Sequence, residues 1–303
     1  MITRLSNLSE HLKEQGTKAR LVVGAALDKN VLDAVVSAKN TGFIDVTLIG
    51  DASAIEQTLI ETGNNGSDIE IIDEKSDYAA GEKAIDFIRE GKAQILMNGQ
   101  ENYRGASVIT KPLLKKNSDL IKGKTISHIA VFEMENYHKL IAVTDVAINI
   151  SPDLSTKANI ISNAVFLMRR FGIETPKVAV LAAVEVINER MPATMHAAIL
   201  SKMAQRGQIK NCIIDGPLAF DNAISEESAI YKGIKSEVSG NVDILLAPDL
   251  ETAGMLYQSL IMIAKAKVAS ITVGAVAPIV LTTKLDTAET RLNSILLSAC
   301  TYN

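Results

Sequence analysis

Cys212-Ile213-Ile214-Asp215-Gly216-Pro217-Leu218-Ala219-Phe220-Asp221-Asn222 is the stretch around which the chain is organised. Cys212 to Ile214 is short, apolar and β-branched, which predicts the inner end of a buried strand. Asp215-Gly216-Pro217 then predicts a stop and a turn, and Phe220, Asp221 and Asn222 lead into a segment with helical potential. In an open α/β sheet, ligands sit beyond the carboxyl ends of the strands. The turn is therefore either a plain strand-to-helix connection or a place where chemistry is built.

Working outward, strands and helices alternate on both sides. Residues 178–182 read as a strand followed by Glu185, Asn188 and Glu189, and 192–204 as a helix. A helix near 226–234, a strand at 244–249 that ends in the carboxylate of Asp249, and a helix carrying Leu256, Leu260, Ile263 and Ala264 follow. The last strands are 268–273 and 279–282, and the final helix starts near Asp286 with Glu289 three residues on, a capping-box spacing. Towards the N-terminus, 3–15 reads as a surface helix through Leu5, Leu8 and Leu12. Strands are expected at 21–25, 46–51, 69–72 and 93–97, with Asp28 capping a helix and another helix at 79–90. Such βα alternation implies a largely parallel sheet. Residues 126–132 and 140–143, joined through Asn136-Tyr137-His138, form an antiparallel pair that interrupts it. Ser151-Pro152 then opens a helix with Ser as cap and Pro at the first helical position.

The chain has 303 residues, 47% of them hydrophobic, 4% aromatic and none Trp, so its core is built from aliphatic side chains. This length predicts more than one core. A net charge of −4 without a basic face gives no case for nucleic acid or an anionic membrane. Cys212 and Cys300 form no disulfide framework, and His11, His128, His138 and His196 form no metal motif. No apolar run reaches the ~20 residues that span a bilayer, and the polar, amphipathic start is not a signal peptide. A cytoplasmic protein is expected.

Asp145, Glu185, Asp215 and Asp249 all fall at or just after strand ends. They could bind metal, act as bases or cap helices. Thr282-Thr283-Lys284 also leaves a strand, and a hydroxyl beside a cation suits a phosphate or a developing oxyanion. Segment 100–124, with Arg104, Lys111, Lys115, Lys116, Lys122 and Lys124, is either a solvated face or a wall for phosphate groups. No GxGxxG, GxxxxGK[ST] or GxSxG is present, which weakens dinucleotide, P-loop and hydrolase readings.

Asp215-Gly-Pro-Leu-Ala-Phe-Asp-Asn-Ala223 resembles the motif of phosphate acyltransferases, the phosphate butyryl- and acetyltransferase family. So do Ser127-His-Ile-Ala-Val-Phe-Glu133, Thr144-Asp-Val-Ala-Ile-Asn-Ile150, Leu181-Ala-Ala-Val-Glu-Val-Ile-Asn188, Met191-Pro-Ala-Thr194, the run 200–210, and Asp243-Ile-Leu-Leu-Ala-Pro-Asp249. These run in order from about residue 94 to the C-terminus, and the butyryl branch is the closer match. The resemblance implies transfer of a short or branched acyl group between CoA and inorganic phosphate, with CoA as a substrate and no tightly bound cofactor or metal. It implies an α/β fold of isocitrate/isopropylmalate dehydrogenase-like architecture. The first domain would be 1–131 plus 272–303, the second, dimerising domain 132–271, with a cleft between them and a homodimer or larger assembly.

Carried onto this chain, the catalytic residues are Thr283, Lys284 and Glu289. The substrate-binding set is Lys111, Asn149, Glu185, Asp215, Gly216, Pro217 and Asp249. The chain departs from the family pattern at several places. Thr283-Lys284 stands for Ser-Arg, Met97-Asn98-Gly99 for Met-Lys-Gly, and Glu251-Thr252-Ala253-Gly254 for Glu-Ala-Gly-Asn. Lys111-Pro112 takes the place of Arg-Pro, and Val146 that of a cysteine. The acid after the pair falls at Glu289 by the butyryl pattern, while a straight count on the acetyl pattern gives Thr290. The implied mechanism has Lys284 hold phosphate or the carbonyl oxygen and Thr283 serve the leaving thiolate. A carboxylate, Glu289 first and Asp286 second, orients or deprotonates phosphate. The alternative is a weakly active or non-catalytic paralogue that binds CoA or acyl phosphate. A metal-dependent decarboxylating dehydrogenase of the same architecture has no motif here.

Overall fold

The structure is a computed structural model and describes residues 2–16, 18–64, 68–100, 109–113, 118–121, 125–281, 283 and 286–302. The chain divides into two compact units: Met1–Leu5 with Thr125–Val268, and Ser6–Lys124 with Ala269–Asn303.

The unit of 6–124 and 269–303 opens with α1 (Leu8–Gln15), β1 (Ala19–Gly24), α2 (Lys29–Asn40), β2 (Ile44–Gly50), α3 (Ala52–Glu61), β3 (Glu70–Asp73), α4 (Asp77–Arg89), β4 (Ile95–Asn98) and the short α5 (Thr110–Leu113). Asp28, Asp51 and Ser76 cap α2, α3 and α4 through main-chain N–H groups, as short polar side chains before an apolar stripe do. β1 pairs in parallel with β2 and with β4, and β2 with β3.

The other unit carries β5 (Ser127–Glu133), β6 (Ile141–Thr144), α6 (Leu154–Arg170), β7 (Lys177–Leu181), α7 (Pro192–Gln205), β8 (Ile213–Leu218), α8 (Phe220–Ile224), α9 (Glu226–Tyr231), β9 (Ile244–Leu246) and α10 (Leu250–Met262). The expected antiparallel pair is β5 and β6, with Ile129 opposite Thr144 and Phe132 opposite Ile141. β6, β9, β7 and β8 then run parallel in that order, so β8 is an edge strand. Phe132, fully buried, meets Tyr257 edge-on at 5.6 Å within a mostly aliphatic core.

The chain returns through β10 (Lys267–Val273), β11 (Ile279–Val280) and α11 (Ala288–Ala299). β11 joins β4 in parallel and β10 antiparallel, which extends the first unit's sheet. The unit boundaries lie at 124/125 and 268/269, against the expected 131/132 and 271/272. The whole of β5 goes with its hairpin partner β6, which moves the first boundary back towards the N-terminus.

Three expectations need correction. Asp215-Gly216-Pro217 does not end its strand. β8 runs through to Leu218, with a register shift opposite Ala179 and Leu181. Pro217 has no N–H to give, and an irregular edge strand is where a sheet tolerates that. Gly216 is required by crowding: a Cβ there would lie 2.7 Å from the Val180 carbonyl oxygen and 3.1 Å from Ala197 Cβ. The cap of α6 is Asp153, which accepts from Thr156 N–H at 2.7 Å, not Ser151. The cap of α11 is Thr287, which accepts from Thr290 N–H at 3.1 Å. Glu289 is therefore one residue short of the capping-box position.

Candidate functional site

In the unit of 6–124 and 269–303, chemistry gathers where the chain leaves β11. Thr283 is exposed, and its main chain is held from both sides. Its N–H donates to Asp286 Oδ2 at 2.7 Å, and its carbonyl accepts from Arg291 Nη2 at 2.8 Å and from Asp286 N–H at 3.1 Å. Burial pushes the Asp286 carboxyl above its ordinary value, against the bonds from Thr283 and the charge of Arg291. Arg291 is 3% exposed and ion-paired to Asp28 at 3.2 Å. Glu289 is exposed on α11. Lys111 is exposed on α5. Lys284 lies outside the described residues, as do Thr282, Arg104, Lys115, Lys116, Lys122 and Lys124. Asn98, where the resemblance has lysine, is 1% exposed at the end of β4.

In the unit of 1–5 and 125–268, β6, β9 and β7 are parallel neighbours, and Asp145, Asp249 and Glu185 follow their carboxyl ends. Each carboxylate is already engaged. Asp145, 3% exposed, accepts from the N–H groups of His128, Ala147, Ile148 and Asn149 and from the Asn149 side chain. Asn149 also donates to the Ile126 carbonyl at 2.8 Å, so Asp145 and Asn149 together fold this loop. Asp249 caps α10 through Thr252 N–H at 2.8 Å. Glu185 accepts from Asn222 and from Lys232 at 2.9 Å. The Lys232 ammonium holds its carboxyl below the usual range. Asp215 is apart from these three. It lies inside β8, accepts from Gly216 N–H at 2.8 Å, and lines a cavity of about 750 Å³ with Cys212, Ile214, Glu226 and Ser239.

The sequence reading missed two buried cations. Lys157, in the first turn of α6, is 4% exposed and lies 3.1 Å from His196 Nδ1 in α7. Burial pushes its ammonium below the ordinary lysine value, and Asp249 opposes that. Arg291 is the other. Both had a signal in sequence: each stands on the apolar stripe of its helix, Lys157 four residues before Ile161 and Arg291 four before Ile295. A long cation there has either to snorkel out or to find a partner inside. Among the described residues no group of three or more His, Cys, Asp and Glu is placed to hold a metal ion. None of the helices they form is long and apolar enough to cross a membrane.

The family model described as phosphate acetyl/butaryl transferase matches residues 79–299. The phosphate butyryltransferase of Clostridium acetobutylicum is 42% identical over 299 residues, covering 99% of this chain and 98% of that protein. The phosphate acetyltransferase of Thermotoga maritima is 41% identical over 295 residues, covering 97% and 98%. Among solved structures, a branched-chain phosphotransacylase from Enterococcus faecalis V583 superposes with a TM-score of 0.80 at 25% identity, covering 94% of this chain and 99% of that one.

Proposed function

The chain belongs to the phosphate acetyl/butyryltransferase family, and on that premise we propose how this phosphate acyltransferase divides its work and which acyl groups it takes. The reaction joins acyl-CoA and inorganic phosphate to acyl phosphate and free CoA. A phosphate oxygen forms the new bond to the thioester carbonyl carbon, the carbon–sulfur bond breaks, and the thiolate leaves with its electron pair to take up a proton. With both substrates bound side by side, orientation supplies much of the rate.

The proposed site is the chain leaving β11. Lys284 holds phosphate or the polarised carbonyl oxygen as a point charge. The Thr283 hydroxyl donates to the leaving thiolate. A carboxylate orients or deprotonates phosphate, Glu289 on the family pattern, with Asp286 in direct contact with Thr283. Lys111, Asn149, Glu185, Asp215, Gly216, Pro217 and Asp249 form the proposed substrate-binding set. Asn149 and Asp249 act there through the loop and helix start they hold. The proposed assembly is a cytoplasmic homodimer or larger homo-oligomer paired through the second domain, with no tightly bound cofactor.

The acyl group proposed is short or branched. The support for this is the 42% identity with a phosphate butyryltransferase taken together with the superposition on a branched-chain phosphotransacylase at a TM-score of 0.80, since identity alone is nearly matched by the 41% with a phosphate acetyltransferase. The test is kcat/KM for acetyl-, butyryl- and isobutyryl-CoA with saturating phosphate. Butyryl- or isobutyryl-CoA is expected to exceed acetyl-CoA by about tenfold, the scale of one or two methylenes in an apolar pocket. A preference for acetyl-CoA overturns the assignment.

A further inference from the structure

We propose that Asp286 and Arg291 are a pair of positioning residues that clamp the main chain of Thr283 from both sides and so aim its hydroxyl at the reacting thioester. The proposal rests on the reading of Thr283 as part of the active site.

Thr283 follows β11, a strand of only two residues, so the sheet does little to fix it. Its peptide groups are instead held by side chains. The Asp286 carboxylate takes the N–H at 2.7 Å, and the Arg291 guanidinium gives to the carbonyl at 2.8 Å. Both holders follow closely in sequence, one from the turn and one from the first turn of α11. The Asp286 carboxylate also takes a hydrogen bond from the Thr283 side chain, so the group that pins the main chain sets the direction of the hydroxyl as well.

The state of Arg291 argues that this contact has a use beyond stability. Its side chain, 3% exposed, lies on a helix stripe otherwise filled by Ile295 and its neighbours. Among the described residues Nε has no hydrogen-bond partner, and Nη1 meets Asp28 Oδ1 at 3.2 Å as an ion pair without hydrogen-bond geometry. An aliphatic side chain of similar size would fill the space without an unsatisfied donor, and replacing a buried ion pair in that way is often neutral or stabilising. Neither Leu nor Met could hold the Thr283 carbonyl. Asp28 is engaged in its own right as the cap of α2, accepting from Val31 N–H at 3.1 Å, so it anchors the guanidinium to a fixed point.

The experiment compares Thr283→Ala, Asp286→Ala, Asp286→Asn, Arg291→Gln and Arg291→Lys, measuring kcat, the KM for each substrate and the melting temperature. Displacement of a reacting group by about 1 Å costs on the order of 100-fold. Arg291→Gln and Asp286→Ala are therefore expected to lower kcat roughly 10- to 100-fold with the acyl-CoA KM within about threefold. Asp286→Asn keeps an oxygen for the Thr283 N–H and is expected to retain most of kcat, which an acid–base role for Asp286 would not allow. Arg291→Lys is expected to recover part of the loss. Should Arg291→Gln fail to fold, Arg291→Lys and the Asp286 pair still decide. Wild-type kcat in Asp286→Ala and in the folded Arg291 variants, with Thr283→Ala inactive, overturns the clamp and leaves the site assignment standing. Wild-type kcat in all of them, Thr283→Ala included, overturns the site assignment itself.

Discussion

Replacing Asp145 by alanine should destabilise the 125–268 unit far more than it disturbs binding. The carboxylate is 3% exposed and collects N–H groups from His128 at 3.2 Å, Ala147 at 3.0 Å, Ile148 at 3.0 Å and Asn149 at 3.2 Å. A hydrogen bond to a charged acceptor contributes about 1.5–3 kcal/mol net, and a buried donor left without a partner costs about 1–3 kcal/mol. The full sum does not apply. Ala147 is exposed and Ile148 and Asn149 half-buried, so their N–H groups regain water, while that of His128 lies in the core. The expected loss is about 3–5 kcal/mol. At about 2–4 °C per kcal/mol for domains of roughly 150–250 residues, the melting temperature falls by roughly 10 °C. Asp145→Asn keeps the shape but turns an NH₂ group towards N–H donors, and should lose about half as much. Thermal unfolding by circular dichroism, with KM values taken well below the transition, measures both effects. A fall under about 3 °C for Asp145→Ala, or an Asp145→Asn protein that keeps its melting point but loses acyl-CoA affinity, would refute the assignment of this carboxylate to the loop.

Three other outcomes are expected. Gly216→Ala forces a Cβ to 2.7 Å from the Val180 carbonyl, and such overpacking costs about 1–3 kcal/mol, to be read from the urea midpoint; an unchanged midpoint would contradict the close approach of β8 to β7. Burial pushes the His128 imidazole down to about 4, so between there and its ordinary value near 6.5 the unfolded chain takes up a proton that the folded one refuses. Stability should thus fall as pH drops through that window, with the melting temperature lower at about pH 5 than at about pH 7 and the difference reduced in His128→Gln. The carboxylates of Glu185 and Asp221, held low by Lys232 and by Ser228 respectively, lose their contribution only as pH falls further, through their depressed values. Lys284→Ala should raise the phosphate KM and cut kcat/KM by about one to two decades, the loss of one charge-assisted contact, while Lys284→Arg restores or improves activity; unchanged kinetics would remove Lys284 from the site.

The fold was legible because nearly every strand is a short aliphatic run followed by a cap residue or a turn, as at 19–24 with Asp28 and at 244–246 with Asp249. The hairpin of β5 and β6 stood out as two such runs too close for a helix between them. What misled was chemistry that local sequence represents ambiguously. Asp-Gly-Pro reads as a stop, yet at a sheet edge the missing N–H of Pro217 harms no neighbour and the strand continues. Thr287 and Asp286 are both good caps one residue apart, and Asp286 is spent on Thr283, which leaves the cap to Thr287. Strand-end carboxylates were correctly placed for three of four, but their partners come from residues as distant as Asn222 and Lys232 for Glu185, which periodicity does not reveal. The same is true of Arg291 and Asp28, more than two hundred and sixty residues apart in sequence.

The central claim is phosphate-dependent acyl transfer, and thiol release from butyryl-CoA with and without inorganic phosphate tests it most directly. The expected result is release that saturates with phosphate and yields one acyl phosphate for each CoA freed, with only background release when phosphate is left out. Release at the same rate without phosphate, or CoA binding by calorimetry with no release at all, would contradict it.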